Sequence, residues 1–229
     1  MRIGILASSL PAALKIQSEV EGVADSHSYV LLCRTPEETR LRSLFKHAAR
    51  FVLKGGRYRS LRLMAEGRVL IFQEPLDHPR TLERLRRLRL DVGLHKLGAI
   101  YREETIKAFG LGILNPHIGL LPQYRGRSVM EWSLLEGNPV GVTLFFIDTG
   151  IDTGRRIVLR EEVDISHCGS VEQARAFLFG LDAVLFRRAL ELLRDANFSY
   201  KLNDGSGHRY YVMSRLFRNV VEELIKADG

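Results

Sequence analysis

The sequence predicts an α/β fold built on a parallel, doubly wound sheet. Three observations predict it. Short apolar, β-branched runs alternate with longer amphipathic ones through the first half of the chain. At 229 residues and 45% hydrophobic content, the chain can fill one full core, as one large domain or one domain with a small appendage. An apolar run ends in "NPH" at 115–117, which sets an amide and an imidazole at a strand end, where open α/β sheets keep their chemistry.

The elements follow in order. "RIGILAS" (2–8) reads as a first strand and "AALKIQSEVEGV" (12–23) as a helix. "YVLLC" (29–33) is a second strand. The segment 36–54 is helical, with Leu41, Leu44, Phe45, Ala48, Phe51 and Val52 at three-to-four spacing, and Gly55-Gly56 breaks it. "RVLIFQ" (68–73) is a third strand, "PRTLERLRRLRL" (79–90) a helix with Thr81 in its early turn, "DVGLHKL" (91–97) a fourth strand and "GILNPH" (112–117) a fifth. The second half changes style. Two β-rich runs, 140–148 and 155–165, flank a glycine-containing loop and suggest a hairpin. A long amphipathic helix over 170–195 follows, capped by Ser170 with Gln173 three residues on. The tail holds a turn, "NDGSGHRYY", and a last helix near 214–226. No repeat or low-complexity linker interrupts the chain.

Composition narrows the function classes. The two cysteines, Cys33 and Cys168, lie far apart without metal-type spacing, so a reducing, cytoplasmic setting is expected rather than a disulfide. The N-terminus lacks the apolar run of a signal peptide, and no stretch is long enough to span a bilayer, so no membrane partner is expected. The net charge of +7 is clustered. Arg40 to Arg62 carries eight basic residues and no acid, and Arg80 to Arg89 carries five arginines and one acid, Glu83. These are solvated helix faces or an electrostatic lure for an anionic ligand. No aromatics alternate with the basic residues and no recognition motif is present, so a nucleic-acid partner is not expected.

In a strand, residues i and i+2 face the same side, so Asn115 and His117 face one small volume with Pro116 turned away. The loop "IDTGIDTGRRI" offers Asp148 and Asp152, with Gly150 and Gly154 permitting tight turns. An aspartate beside an imidazole favours the imidazolium, and imidazolium plus amide make a donor pair suited to a developing oxyanion. No serine or cysteine sits in a nucleophile elbow, and no histidine cluster suggests a metal. The chemistry read from these residue types is direct transfer of an acyl-like group to an incoming nucleophile.

Taken together, "ILNPHIGLLPQYRG", "GVTLFFIDTGIDTG" and the 35 residues separating His117 from Asp152 resemble the folate-dependent formyltransferase family. That family includes glycinamide ribonucleotide transformylase, the methionyl-tRNA formyltransferase catalytic domain and the sugar N-formyltransferases. The resemblance is strong over about residues 90–165. It implies a Rossmann-like, mostly parallel twisted sheet with helices on both faces, and N10-formyltetrahydrofolate as co-substrate without a metal. By the same resemblance Asn115 holds the formyl oxygen, His117 paired with Asp152 stabilises the tetrahedral intermediate, and Asp152 orients a proton-relaying water. The positions matching the folate pocket are Ala99, Ile100, Tyr101, Leu114, Gly119, Leu120, Leu121, Pro122, Asp148, Thr149, Gly150 and Ile151. The implied domain layout is a catalytic domain over 1–200 and a hairpin-and-helix extension over 201–229, packed on it or on a partner subunit.

The acceptor is argued from differences. Glycinamide ribonucleotide enzymes carry a Gly-rich phosphate loop after the first strand; here "ASSLPAAL" offers only Ser8 and Ser9 to cap a helix and touch phosphate. The tRNA enzyme would show a different start and a further C-terminal domain, and a formyltetrahydrofolate hydrolase a preceding regulatory domain. "LLPQYRGRSVMEWSLLEG" resembles the sugar N-formyltransferases, with Tyr124, Arg125 and Trp132 flanking the acceptor and the basic helices 40–62 and 80–89 attracting a nucleotide diphosphate. Phe145-Phe146 departs from the pattern, since many relatives have a histidine there. The expected activity is formyl transfer to a nucleotide-linked amino sugar. The alternatives are another small amine such as glycinamide ribonucleotide, or a non-catalytic folate- or nucleic-acid-binding relative. The apolar face of the last helix makes a homodimer an expectation.

Overall fold

A computed structural model describes residues 1–23, 27–33 and 57–228. The helix expected over 36–54 and most of the basic run from Arg40 lie outside the described residues. The chain forms two compact units, Met1–Asn115 and Pro116–Gly229.

In the first unit, β1 (Arg2–Ala7), α1 (Leu10–Val20), β2 (His27–Cys33), α2 (Arg57–Ala65), β3 (Val69–Phe72), α3 (Pro79–Leu88), β4 (Leu90–Lys96) and α4 (Glu103–Ile106) precede β5 (Phe109–His117). The strands pair in the order β3-β2-β1-β4-β5, all parallel. Parallel strands covered on both faces read as continuous apolar runs, and Ile3, Ile5, Leu6, Val30, Leu31, Val92, Leu94, Ile113 and Leu114 are fully buried. The order reverses between β1 and β4, which makes the carboxyl ends of those strands a topological switch point. Helix α3 starts where the sequence places it. Pro79 fits the first turn, and His78 Nδ1 accepts a 3.3 Å bond from the Arg80 N–H. Arg89 ends the helix in the left-handed region at φ 48°. Helix α2 overlaps the end of the basic helical stretch expected over 40–62, but it stands as a separate element beyond the Gly55-Gly56 break and runs on to Ala65.

The second unit holds β6 (Tyr124–Gly126), α5 (Val129–Leu135), β7 (Gly141–Phe146), β8 (Arg156–Glu162), α6 (Val171–Gly180), α7 (Asp182–Leu192), β9 (Lys201–Leu202), β10 (His208–Tyr210) and α8 (Arg215–Asp228). Strands β7 and β8 form the expected antiparallel pair, and β9 adds to β8. Strand β10 returns from the tail to lie parallel to β6. The single helix expected over 170–195 is two helices that break at Leu181. Gly180, a poor helix former, closes the first of them. Its cap is as read: Ser170 Oγ accepts from the Gln173 N–H at 3.1 Å, and Gln173 Oε1 accepts from the Gly169 N–H at 2.8 Å. No helix among the described residues is long and apolar enough to cross a membrane.

Candidate active site

Strand β5 carries Asn115, half-buried, and His117, only 8% exposed, at the same-face spacing. The His117 ring is held from two sides within the second unit. Nε2 lies 2.8 Å from the Tyr124 carbonyl oxygen, and Nδ1 lies 3.6 Å from Asp152 Oδ1. A carbonyl only accepts, so Nε2 carries a hydrogen and Nδ1 is left facing the carboxylate. Phe145 meets the ring edge-on at 6.5 Å, at the position where a histidine was noted as absent.

Gly119 makes room for this ring. A Cβ there would sit 2.6 Å from His117 Nε2 and 2.9 Å from Val129 Cγ2. The turn from Gly119 to Gln123 is fixed by the neighbouring strands. The buried Thr143 hydroxyl donates to the Gly119 carbonyl at 2.6 Å and accepts from the Leu121 N–H at 3.1 Å. Arg160 Nε donates to the Leu121 carbonyl at 2.8 Å. The Leu121–Pro122 bond is cis.

Asp152 sits in the left-handed region at φ 54°, a conformation aspartate tolerates better than most residues. Its Oδ2 accepts from the Gly126 N–H at 2.9 Å, while Oδ1 faces His117. Gly126 adopts φ 103°, and a Cβ there would strike the Tyr210 carbonyl at 2.2 Å. The loop before Asp152 is a turn closed by Asp148, whose Oδ1 accepts from the Gly150 N–H at 2.9 Å and the Thr153 hydroxyl at 2.6 Å. Behind it, Asn203 is 1% exposed and donates from Nδ2 to the carbonyls of Asp152 and Gly154, each at 3.2 Å.

The remaining expected residues lie as follows. In the first unit, Ser8 and Ser9 are half-buried where β1 runs into α1, and Ser9 caps that helix without a side-chain bond. Ala99 is half-buried and Ile100 is 80% exposed. Tyr101 is 3% exposed, with its hydroxyl 2.6 Å from His95 Nδ1. Burial holds the Tyr101 hydroxyl well above its usual range, and burial with the Lys96 charge pushes His95 down to about 4. Tyr101 therefore donates to a neutral imidazole. Leu114 is fully buried.

In the second unit, Leu120 packs with Tyr124 and Val129, and Leu121 with Phe145 and Ile157. Pro122 is half-buried, Thr149 exposed and Ile151 42% exposed. Tyr124 stacks on Tyr210 at 5.3 Å, and its hydroxyl donates to Glu136 Oε2 at 2.8 Å. Burial and the Glu136 carboxylate raise the Tyr124 hydroxyl above its ordinary value. Arg125 NH2 donates to the Gly207 carbonyl at 2.9 Å. Trp132 Nε1 donates to the Tyr211 carbonyl at 2.9 Å. Each of these three side chains thus ties β6 or α5 to the returning tail.

Sequence reasoning did not anticipate the Tyr124 carbonyl, the Gly126 N–H or Asn203. Two are backbone groups, which carry no signal of side-chain type. Asn203 stands in "LNDGSG", where it reads as an ordinary turn former.

Residues 77–181 match the family model described as formyl transferase, and the matched segment takes in Asn115, His117 and Asp152. The matched segment is a little under half of the chain, and over it the chain is similar to formyl transferases. A methionyl-tRNA formyltransferase from Parabacteroides distasonis is 34% identical to it over 123 residues, 53% of this chain and 38% of that one. The chain spans about two fifths of the length of the curated relatives it matches. Two solved structures share the fold of the chain. Glycinamide ribonucleotide transformylase 1 from Symbiobacterium toebii superposes with a TM-score of 0.61 at 21% identity, covering 89% of this chain and 94% of that one. The formyltransferase PseJ from Anoxybacillus kamchatkensis, in complex with UDP-4,6-dideoxy-4-formamido-L-AltNAc and tetrahydrofolate, superposes with a TM-score of 0.60 at 18% identity, covering all of both chains. Among the described residues no group of three or more His, Cys, Asp or Glu is arranged to hold a metal ion.

Proposed function

We propose that this protein is an N10-formyltetrahydrofolate-dependent N-formyltransferase whose acceptor is the amine of a nucleotide-linked amino sugar. The observation that carries the reading is His117 held with its Nδ1 toward Asp152 and its Nε2 on the Tyr124 carbonyl. With Nε2 committed, Nδ1 is the one ring nitrogen that can gain a proton or donate to a ligand. The 3.6 Å separation from Asp152 leaves a proton on Nδ1 free to be shared with an oxygen that approaches the gap.

In this reading the folate co-substrate supplies the formyl carbon, and the acceptor attacks that carbon as a free amine. The Asn115 amide and the His117 ring donate to the oxygen as charge builds on it, and Asp152, facing Nδ1, takes part in relaying the amine proton. The choice of a sugar acceptor rests on the Tyr-Arg-Gly and tryptophan helix of the sequence and on the nucleotide-sugar product bound by the Anoxybacillus kamchatkensis protein. A second reading keeps the chemistry and makes glycinamide ribonucleotide the acceptor, favoured by the Symbiobacterium toebii superposition.

The test is release of tetrahydrofolate from N10-formyltetrahydrofolate with three candidate amines. These are the 4-amino precursor of UDP-4,6-dideoxy-4-formamido-L-AltNAc, glycinamide ribonucleotide and methionyl-tRNA. Turnover is expected with the first. Turnover with only one of the others moves the acceptor. No turnover with any, together with no thermal shift on adding folate, rejects the donor.

A further inference from the structure

A cavity of about 340 Å3 opens beside His117 in the second unit, and its wall includes Arg127, Glu131, Arg175, Phe179 and Val212. None of the positions assigned by resemblance to the folate lines it; His117 and Gly126, whose N–H holds Asp152, join it to the proposed chemistry. Resting on the transferase reading above, we propose that this cavity receives the anionic group of the acceptor, a phosphate or diphosphate, with Arg175 and Arg127 as its ligands.

The physical case begins with Glu131. Its side chain is only 2% exposed, and a buried carboxylate requires a compensating charge. Arg175 supplies it by pairing with Glu131 Oε1 while 38% of its own side chain stays accessible. Arg175 NH2 also lies 3.5 Å from the Ser128 hydroxyl. A guanidinium carries five N–H donors in a rigid fork, so these contacts fix its orientation and leave donors to spare. Arg127 stands exposed on the same wall, its backbone N–H bonded to the Tyr210 carbonyl at 3.1 Å. Two arginines against one glutamate leave the wall with one surplus positive charge before His117 is counted. Phosphate oxygens match that geometry in bidentate fashion. Phe179, 54% exposed, and Val212, 60% exposed, add apolar surface at the rim for a sugar or base face.

The assignment also explains where acceptor recognition goes once Tyr124, Arg125 and Trp132 are committed to Glu136, Gly207 and Tyr211. Recognition of the anionic group then falls to Arg127, just before α5, and to Arg175 on α6, which pairs with Glu131 on α5.

The test measures inorganic pyrophosphate and UDP binding by calorimetry, with N10-formyltetrahydrofolate binding as the reference. Arg127→Gln alters an exposed side chain and leaves the buried pair intact. The double variant Glu131→Gln with Arg175→Met removes the buried carboxylate and its partner together, since removing Arg175 alone strands the carboxylate. Each variant is expected to weaken pyrophosphate and UDP by about tenfold or more, one charge-assisted contact's worth, with folate affinity changed less than twofold. Wild-type protein that binds neither anion overturns the proposal, as do variants that bind both as tightly as wild type. Loss of folate affinity instead assigns the cavity to the donor's carboxylate tail and also overturns it. These readouts need no turnover, so they separate this proposal from the transferase reading, which fails on the amine assay alone.

Discussion

Gly119→Ala tests how tightly the His117 ring is held. An added Cβ would stand 2.6 Å from Nε2, about 0.8 Å inside the 3.4 Å at which ordinary contact begins. Val129 Cγ2, at 2.9 Å from the same point, blocks retreat of the new methyl. The ring must therefore yield, and a shift of that size stretches the 2.8 Å bond to the Tyr124 carbonyl beyond hydrogen-bonding range. Overpacking of this kind costs about 1–3 kcal/mol, and the carbonyl left without its donor belongs to the same range. A combined loss of about 2–6 kcal/mol lowers Tm by roughly 4–24 °C for a chain of this size. Turnover should fall further than stability accounts for, by about 10²-fold, because a catalytic group displaced by about an ångström loses its alignment. Urea denaturation gives the first quantity, formyl transfer at saturating substrates the second, and 15N chemical shifts of the imidazole report whether Nε2 keeps its proton. An alanine variant with wild-type stability and unchanged imidazole shifts would refute the packing argument.

Asp152→Asn keeps an oxygen for the Gly126 N–H but removes the charge facing Nδ1; kcat should fall about 10²–10³-fold with little change in Tm, and wild-type turnover would remove Asp152 from the mechanism. Asn203→Ala strips the donors from the Asp152 and Gly154 carbonyls behind the loop; a stability loss of about 1–3 kcal/mol is expected, with a fall in kcat that a merely structural asparagine would not produce, and formyl transfer measured well below Tm distinguishes the two. His95 gives a pH dependence whose sign follows from its depressed value. The unfolded chain binds a proton at its ordinary 6.5 and the folded chain only at about 4, so the unfolded state holds the extra proton between them. Stability is then full above pH 6.5 and declines as pH falls toward 4, by up to about 3 kcal/mol. His95→Gln should flatten that part of the stability–pH curve measured by urea titration at pH 7 and pH 4.5, and an unchanged slope would show that the ring is not buried neutral.

The parallel sheet of the first unit was legible because its strands are buried on both faces, which writes Ile3–Ala7, Tyr29–Cys33 and Val92–Leu94 as apolar runs separated by amphipathic spacers. The β7–β8 pair and the Ser170 cap were legible for a different reason: each is set by residues within a short stretch of chain. The limits of helix α2 and the break at Leu181 were not, since local pattern fixes the existence of a helix more firmly than its limits. Within the candidate site, residue type and spacing pointed to Asn115 and His117 and left Asp148 and Asp152 both open; the family resemblance put Asp152 with them. The partners of His117 were a different matter. Which nitrogen faces Asp152 depends on the Tyr124 carbonyl, and where Asp152 points depends on a backbone N–H at Gly126 and on Asn203, 51 residues farther along. Backbone amides and carbonyls are the same at every residue, so their roles emerge only when tertiary folding brings a particular one within 3 Å of a side chain. The sequence by itself determined which chemical groups this protein possesses; the tertiary structure decided their hydrogen-bond partners, and with them which atom of the imidazole is left for a ligand.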